Sequence, residues 1–242
     1  MIRLFGFILA LTTKASAFSS LASMPPITPI QWQSPQTIRF CITQNTNKSV
    51  NLPLISHISR NAIDNINLQT SSGFYSPLSF YIDDICQPSS FFIKLVDNTD
   101  NDISAAFCTR KYDFTRTPPA YHGCNITMNV CILRNAATFY NVILHEFLHA
   151  VGLDHPNPPI KDAIISTGIT KIGYNSSQYR LHNDYKLLTN TDIRGIQTIL
   201  QRDFRQYYYP YQHYTIKTYT MPNISILNHK VFEKEIIDMY KC

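Results

Sequence analysis

His145-Glu-Phe-Leu-His-Ala-Val-Gly-Leu-Asp-His155 puts three histidines into eleven positions, separated by an apolar run and one glycine. The apolar pattern leading into it predicts a helix over Ala136 to Val151. Residues four apart share a helix face, so His145 and His149 present both imidazoles to one ion. Glu146 sits one step round, beside that ion without ligating it, where a carboxylate can take a proton from a metal-bound water. Gly152 ends the helix where a left-handed turn costs little, and the redirected chain brings His155 round as a third ligand. Three neutral imidazoles with a fourth position left to water are the pattern of a catalytic zinc; structural sites close that position with Cys or His. From average residue usage, this spacing of His, Glu and Gly arises by chance in roughly one chain of this length in 10⁵.

Outward from that helix, Thr37 to Thr43 alternates like a half-buried strand. Leu54, Ile55, Ile58, Ala62, Ile63 and Ile66 form a helical stripe. Leu78 to Ile82, Phe91 to Val96, Ile103 to Thr109 and Ile126 to Ile132 carry the aromatic and branched residues of strands. Beyond the histidines, Thr191 to Leu200 reads as a helix, with Thr189 and Asp192 spaced as a capping box. Strands and one helix followed by helices predict an α+β fold, a mixed twisted sheet with a backing helix, the histidine-bearing helix and a C-terminal helix. The chain is long enough for one good core, expected over residues 37–203. Residues 18–36, rich in proline, read as an extended leader, and residues 204–242 as a Tyr-rich tail, either an arm packed on the domain or a surface for a glycan or protein partner.

Residues 1–17 combine a cation at Arg3, an apolar core from Leu4 to Leu11 and the small-residue ending Ala15-Ser-Ala17, the signature of a secretory signal peptide. That core is too short to span a bilayer, and no later stretch is long and apolar enough; a soluble, extracellular protein is expected. Loss of Arg3 and Lys14 would take the formal charge from +5 to +3, and no run of basic residues suggests a nucleic-acid partner. The six cysteines fit disulfides in an exported chain. Fifteen pairings are possible, of which Cys124 with Cys131 is the favoured local clamp. Asn47, Asn125, Asn175 and Asn223 each head a glycosylation sequon.

The stretch His145 to His155 matches HExxHxxGxxH, and the chain resembles the metzincin zinc metalloproteases, most of all the catalytic domain of the matrixins, the matrix metalloproteinases. Three further stretches carry the likeness. Ile103-Ser104-Ala105-Ala106-Phe107 is similar to the edge strand that lines the matrixin cleft. Asp162-Ala-Ile-Ile-Ser166 is placed like the Met-turn, with Ile165 where metzincins have methionine. Thr191 to Leu200 is similar to the matrixin C-terminal helix. The likeness spans roughly Thr37 to Arg202. It implies one catalytic zinc on His145, His149 and His155, Glu146 as general base, and a substrate peptide added as a strand along Ile103 to Phe107. The wall of the specificity pocket would come from Gly168 to Tyr174.

This chain also departs from the matrixin pattern. No cysteine precedes the first strand, so latency through a cysteine on the zinc is not expected. A second, structural zinc has only His122 upstream to serve it, and His57 and His122 read as surface residues. Calcium is unsupported, since Asp97, Asp100 and Asp102 read as a solvated loop. Asp154 either anchors the turn or orients a histidine. The expected activity is that of a secreted, monomeric zinc endopeptidase acting on proteins or peptides, with extracellular matrix among the candidate substrates. The alternative is a secreted, disulfide-bonded binding protein that keeps the fold without proteolysis.

Overall fold

The computed structural model describes residues 31–71, 76–97, 105–117, 119–131, 133, 136–156, 160, 163–166 and 185–204. The expected signal peptide, most of the expected leader, Ile103, Ser104, Asp100, Asp102, the expected pocket wall from Gly168 to Tyr174, the tail beyond Phe204 and the sequons at Asn175 and Asn223 lie outside the described residues.

Five strands form one sheet: β1 (Gln36–Asn45), β2 (Leu78–Asp83), β3 (Phe91–Val96), β4 (Ala106–Asp113) and β5 (Ala120–Asn129), in the order β2-β1-β3-β5-β4. The first four of that order run parallel, and β4 is antiparallel to β5 at the edge. Three helices complete the fold: α1 (Leu52–Thr70), α2 (Ala136–Val151) and α3 (Asn190–Asp203). This mixed sheet with three helices is compatible with the α+β expectation.

Parallel neighbours cannot be joined by a hairpin, and α1 supplies the crossover from β1 to β2. Asn51 caps it, its Oδ1 accepting from Leu54 N at 3.0 Å, and Leu54, Ile55, Ile58, Ala62, Ile63 and Ile66 form its buried face. All sixteen residues of α2 are buried, as a helix apolar around most of its circumference must be. It packs against α1, α3, β4 and β5. Phe147 of α2 meets Phe40 of β1 edge-on at 5.4 Å between ring centres, and burial of each such ring contributes about 1.5–3 kcal/mol. The helix that carries the histidines is therefore also the centre of the core.

The Thr189–Asp192 capping box is present at the start of α3. Strand β5 differs from expectation. It starts at Ala120 and ends at Asn129, where Ile126 to Ile132 was predicted. Its first half is hidden in the sequence because Tyr-His-Gly-Cys-Asn breaks the alternation, and because Gly123, at φ 118°, sits in a bulge. Pairing passes from Lys111 with Gly123 to Tyr112 with Tyr121, leaving His122 as the extra residue. A Cβ on Gly123 would lie 3.3 Å from the Phe91 ring.

The expected Cys124–Cys131 clamp is not formed. Cys124 pairs with Cys108, joining β5 to β4, and Cys41 pairs with Cys86. Adjacent antiparallel strands bring Cys108 and Cys124 within 5.7 Å between Cα atoms, inside the range a disulfide requires. Cys131 is also disulfide-bonded, and no described cysteine is free. No described helix is long and apolar enough to cross a membrane.

Candidate metal centre

Helix α2 delivers His145, Glu146 and His149 from its last two turns. Gly152, at φ 117°, then reverses the chain, and the amides of Gly152 and Leu153 return to the Leu148 carbonyl at 3.2 and 3.0 Å. The reversal brings the exposed His155 over the two buried histidines. His155 Nε2 lies 2.9 Å from His145 Nε2 and 3.0 Å from His149 Nε2.

The other ring nitrogens decide what these three atoms are. His145 Nδ1 lies 2.6 Å from the Ile164 carbonyl, and His149 Nδ1 lies 2.7 Å from the Leu153 carbonyl. A carbonyl only accepts, so both rings carry their proton on Nδ1 and turn a lone pair on Nε2 toward the common centre. Converging lone pairs repel unless a proton or a cation bridges them. Tetrahedral zinc with bonds of about 2.0–2.1 Å spaces its nitrogens roughly 3.3 Å apart, a few tenths of an ångström beyond the two separations to His155, and the three ligand atoms all lie within 4.8 Å of one another. The donor set fits a divalent ion.

Electrostatics favours the same state. Burial pushes the His145 ring down to about 4, against the hydrogen bond to Ile164 that favours its charged form. His149 is driven further down by burial and by the neighbouring His145. Both rings are thus neutral, as ligation requires. Glu146 is 1 % exposed, and burial raises its carboxyl to about 8 while Arg110 pulls it down. Its Oε2 is buried without a hydrogen-bond partner. Such an atom is costly to keep unless something charged or polar is delivered to it.

A cleft of about 560 Å³ opens over these groups, lined on one side by His145, Glu146, His149, Asp154 and His155 and on the other by Ala106, Phe107, Cys108, Arg110 and Tyr112 of β4. Of the expected substrate strand, Ala105 precedes β4, Ala106 is buried, and Phe107 is 47 % exposed beside the cleft. Among the described residues β4 has a strand partner on one side only. Ile165 is fully buried, in the turn Ala163–Ser166 whose Ile164 carbonyl holds His145. His57, exposed on α1, and His122 of β5 stand outside the histidine cluster; among the described residues no other group of His, Cys, Asp or Glu could hold a metal.

Several supports were not legible in the sequence. Tyr121 donates its hydroxyl to the His149 carbonyl at 2.8 Å, and Trp32 donates Nε1 to the Val151 carbonyl at 2.8 Å. Asp192 accepts from the amides of Ile164 and Ile165 at 3.0 and 3.1 Å, tying α3 to the turn behind His145. Asp154 anchors the turn by an ion pair with Arg110, while backbone carbonyls orient His145 and His149. The sequence left Asp154 between anchoring the turn and orienting a histidine, and the ion pair with Arg110 selects the first.

No family model matches the chain, and no curated protein matches it.

Proposed function

We propose that the chain is a secreted zinc endopeptidase of metzincin type, with Glu146 as its general base. The reading rests on one observation: three ring nitrogens converge beside a buried carboxylate oxygen that has no partner of its own. His145, His149 and His155 would hold the ion through Nε2. When bound, zinc supplies a Lewis acid that polarises oxygen groups and lowers the pKa of water.

The chain's own residues supply the rest. Glu146 accepts a proton on its carboxylate as water attacks the scissile carbonyl, then returns it to the leaving amine. The positive charge of a bound divalent ion acts on Glu146 in the same sense as Arg110, favouring the ionised form that a base needs. Among the described residues β4 pairs on one side only, and its other side would offer amides and carbonyls to an extended peptide, so recognition would be mainly of backbone. The disulfides suit an oxidising extracellular setting.

The test compares two variants on adjacent turns of α2. Zinc per chain and cleavage of a mixed peptide library are measured for wild type, His149→Ala and Glu146→Gln. His149→Ala should lose both zinc and cleavage, because two histidines hold the ion weakly. Glu146→Gln should keep about one zinc per chain and lose cleavage by at least about 10²-fold. Wild type that holds zinc but cleaves no better than Glu146→Gln would overturn the protease reading and leave a metal-bearing binding protein.

A further inference from the structure

The third ligand is held differently from the first two. His145 and His149 are buried in α2 and braced from behind by carbonyls, whereas His155 is exposed and lies beyond the helix on a reversed segment. The two residues before it, Leu153 and Asp154, are gripped by one side chain from the opposite wall of the cleft. Arg110 of β4 donates Nη2 to the Leu153 carbonyl at 2.9 Å and forms an ion pair with Asp154. The Leu153 carbonyl is the same atom that accepts from His149 Nδ1 at 2.7 Å, and Arg110 Nη2 lies 3.5 Å from that ring nitrogen. One guanidinium thus fixes the acceptor that orients the second ligand and the backbone that carries the third. The ion pair is more than a surface contact, since the two side chains are only 21 % and 34 % exposed, and the median value of about 0–1 kcal/mol applies to fully solvated pairs.

We infer that Arg110 is a positioning residue for the metal centre, clamping the Leu153–Asp154 segment so that His155 and His149 meet a single ion. This rests on the metal-binding part of the functional reading and not on proteolysis. Ligation by a loop residue requires that the loop be ordered, and an ordering contact made before the ion arrives lowers that entropic cost. The arrangement also joins the edge strand to the ligand segment across the cleft, so the strand that would receive a peptide and the histidine turn have a fixed spacing.

The test uses the full-length protein with zinc and cobalt(II) as probes. Zinc affinity is measured by competition with a chromophoric chelator, ligand geometry by the cobalt d–d spectrum, and folding by circular dichroism of the metal-free form. Removal of partners that orient metal ligands commonly costs 10–100-fold in affinity, so Arg110→Ala should weaken zinc binding by about 10-fold or more and alter the cobalt band. Arg110→Lys keeps a donor and a charge with shorter reach and should recover part of the loss. Asp154→Asn removes the ion pair alone and should fall between wild type and Arg110→Ala. If Arg110→Ala does not fold, Arg110→Lys and Asp154→Asn carry the test, and both must still lie below wild type. Wild-type affinity and spectrum in all folded variants would overturn the clamp and leave the metal site standing. A wild-type protein that binds neither metal would overturn both. Zinc binding without peptide cleavage would remove only the protease reading.

Discussion

Replacing Asp192 tests whether the turn behind His145 is held from α3. The carboxylate is fully buried and accepts from Ile164 N at 3.0 Å, Ile165 N at 3.1 Å, Thr189 N at 2.9 Å and Thr189 Oγ at 2.6 Å. In Asp192→Ala the two buried isoleucine amides lose their acceptor, at about 1–3 kcal/mol each, and the helix loses the half of its capping box in which Asp192 accepts from Thr189 N, at about 1 kcal/mol. Water entering the vacated space offsets part of this, so a loss of about 4 kcal/mol is expected, a large share of the 5–15 kcal/mol typical of a whole domain. Asp192→Asn keeps the volume but turns an amide toward some of the same donors, and about 2–3 kcal/mol is expected. Urea unfolding of the metal-free protein, with the slope constant across variants, measures both losses. The Ile164 carbonyl on this turn accepts from His145 Nδ1, so zinc affinity should fall about 10-fold in whichever variant still folds. Losses below about 1 kcal/mol in both variants would refute the accounting. A large stability loss with unchanged zinc affinity would refute the link between the turn and the ligand.

The metal-free protein should also show an unusual dependence on pH. His145 and His149 have lowered pKa values in the folded state, so the unfolded chain binds more protons below about 6.5 and stability rises with pH up to that point. Glu146 is raised to about 8 from 4.5, so the unfolded chain releases that proton first and stability falls between those two values. With two rising contributions against one falling, these three groups give a maximum near pH 6.5. In Glu146→Gln the decline from about 6.5 to 8 should vanish; a persistent decline in urea titrations under chelation would show that the carboxyl is not its source. Ile165→Met, an apolar exchange of similar volume at a fully buried position, should cost less than about 1.5 kcal/mol and leave one zinc per chain, as thermal melts and metal analysis would record. Unfolding by this exchange would mean that the turn has no room for a straight side chain.

What the sequence made legible was local. The stripe of α1, the spacing of His145, His149 and His155, and the Thr189–Asp192 cap are each set by residues within a few positions, and each is found as read. Pairing across distance was not legible. Cys124 had a near candidate in Cys131 and a far one in Cys108, and only the β4–β5 register makes the far one adjacent. Arg110 stands thirty-nine positions from His149 and reaches it only because the antiparallel edge strand lies across the cleft. The early part of β5 was hidden for a different reason: its bulge at Gly123 breaks the period of two that marks a strand. Trp32 lay within the expected leader, yet it is buried against Tyr121 with its backbone amide held by Asp203.

Because every residue of α2 is buried, the same helix answers to two kinds of selection. A lineage that needed only the fold would gain stability by exchanging the buried carboxyl at Glu146, whose Oε2 has no hydrogen-bond partner, for an apolar side chain of similar size, since such a group opposes folding. Drift under folding alone therefore runs toward losing Glu146 while the apolar positions around it stay. Among descendants of this chain, the residue at position 146 would serve as a marker of which lineages still use the site, and its loss would precede any erosion of the surrounding core.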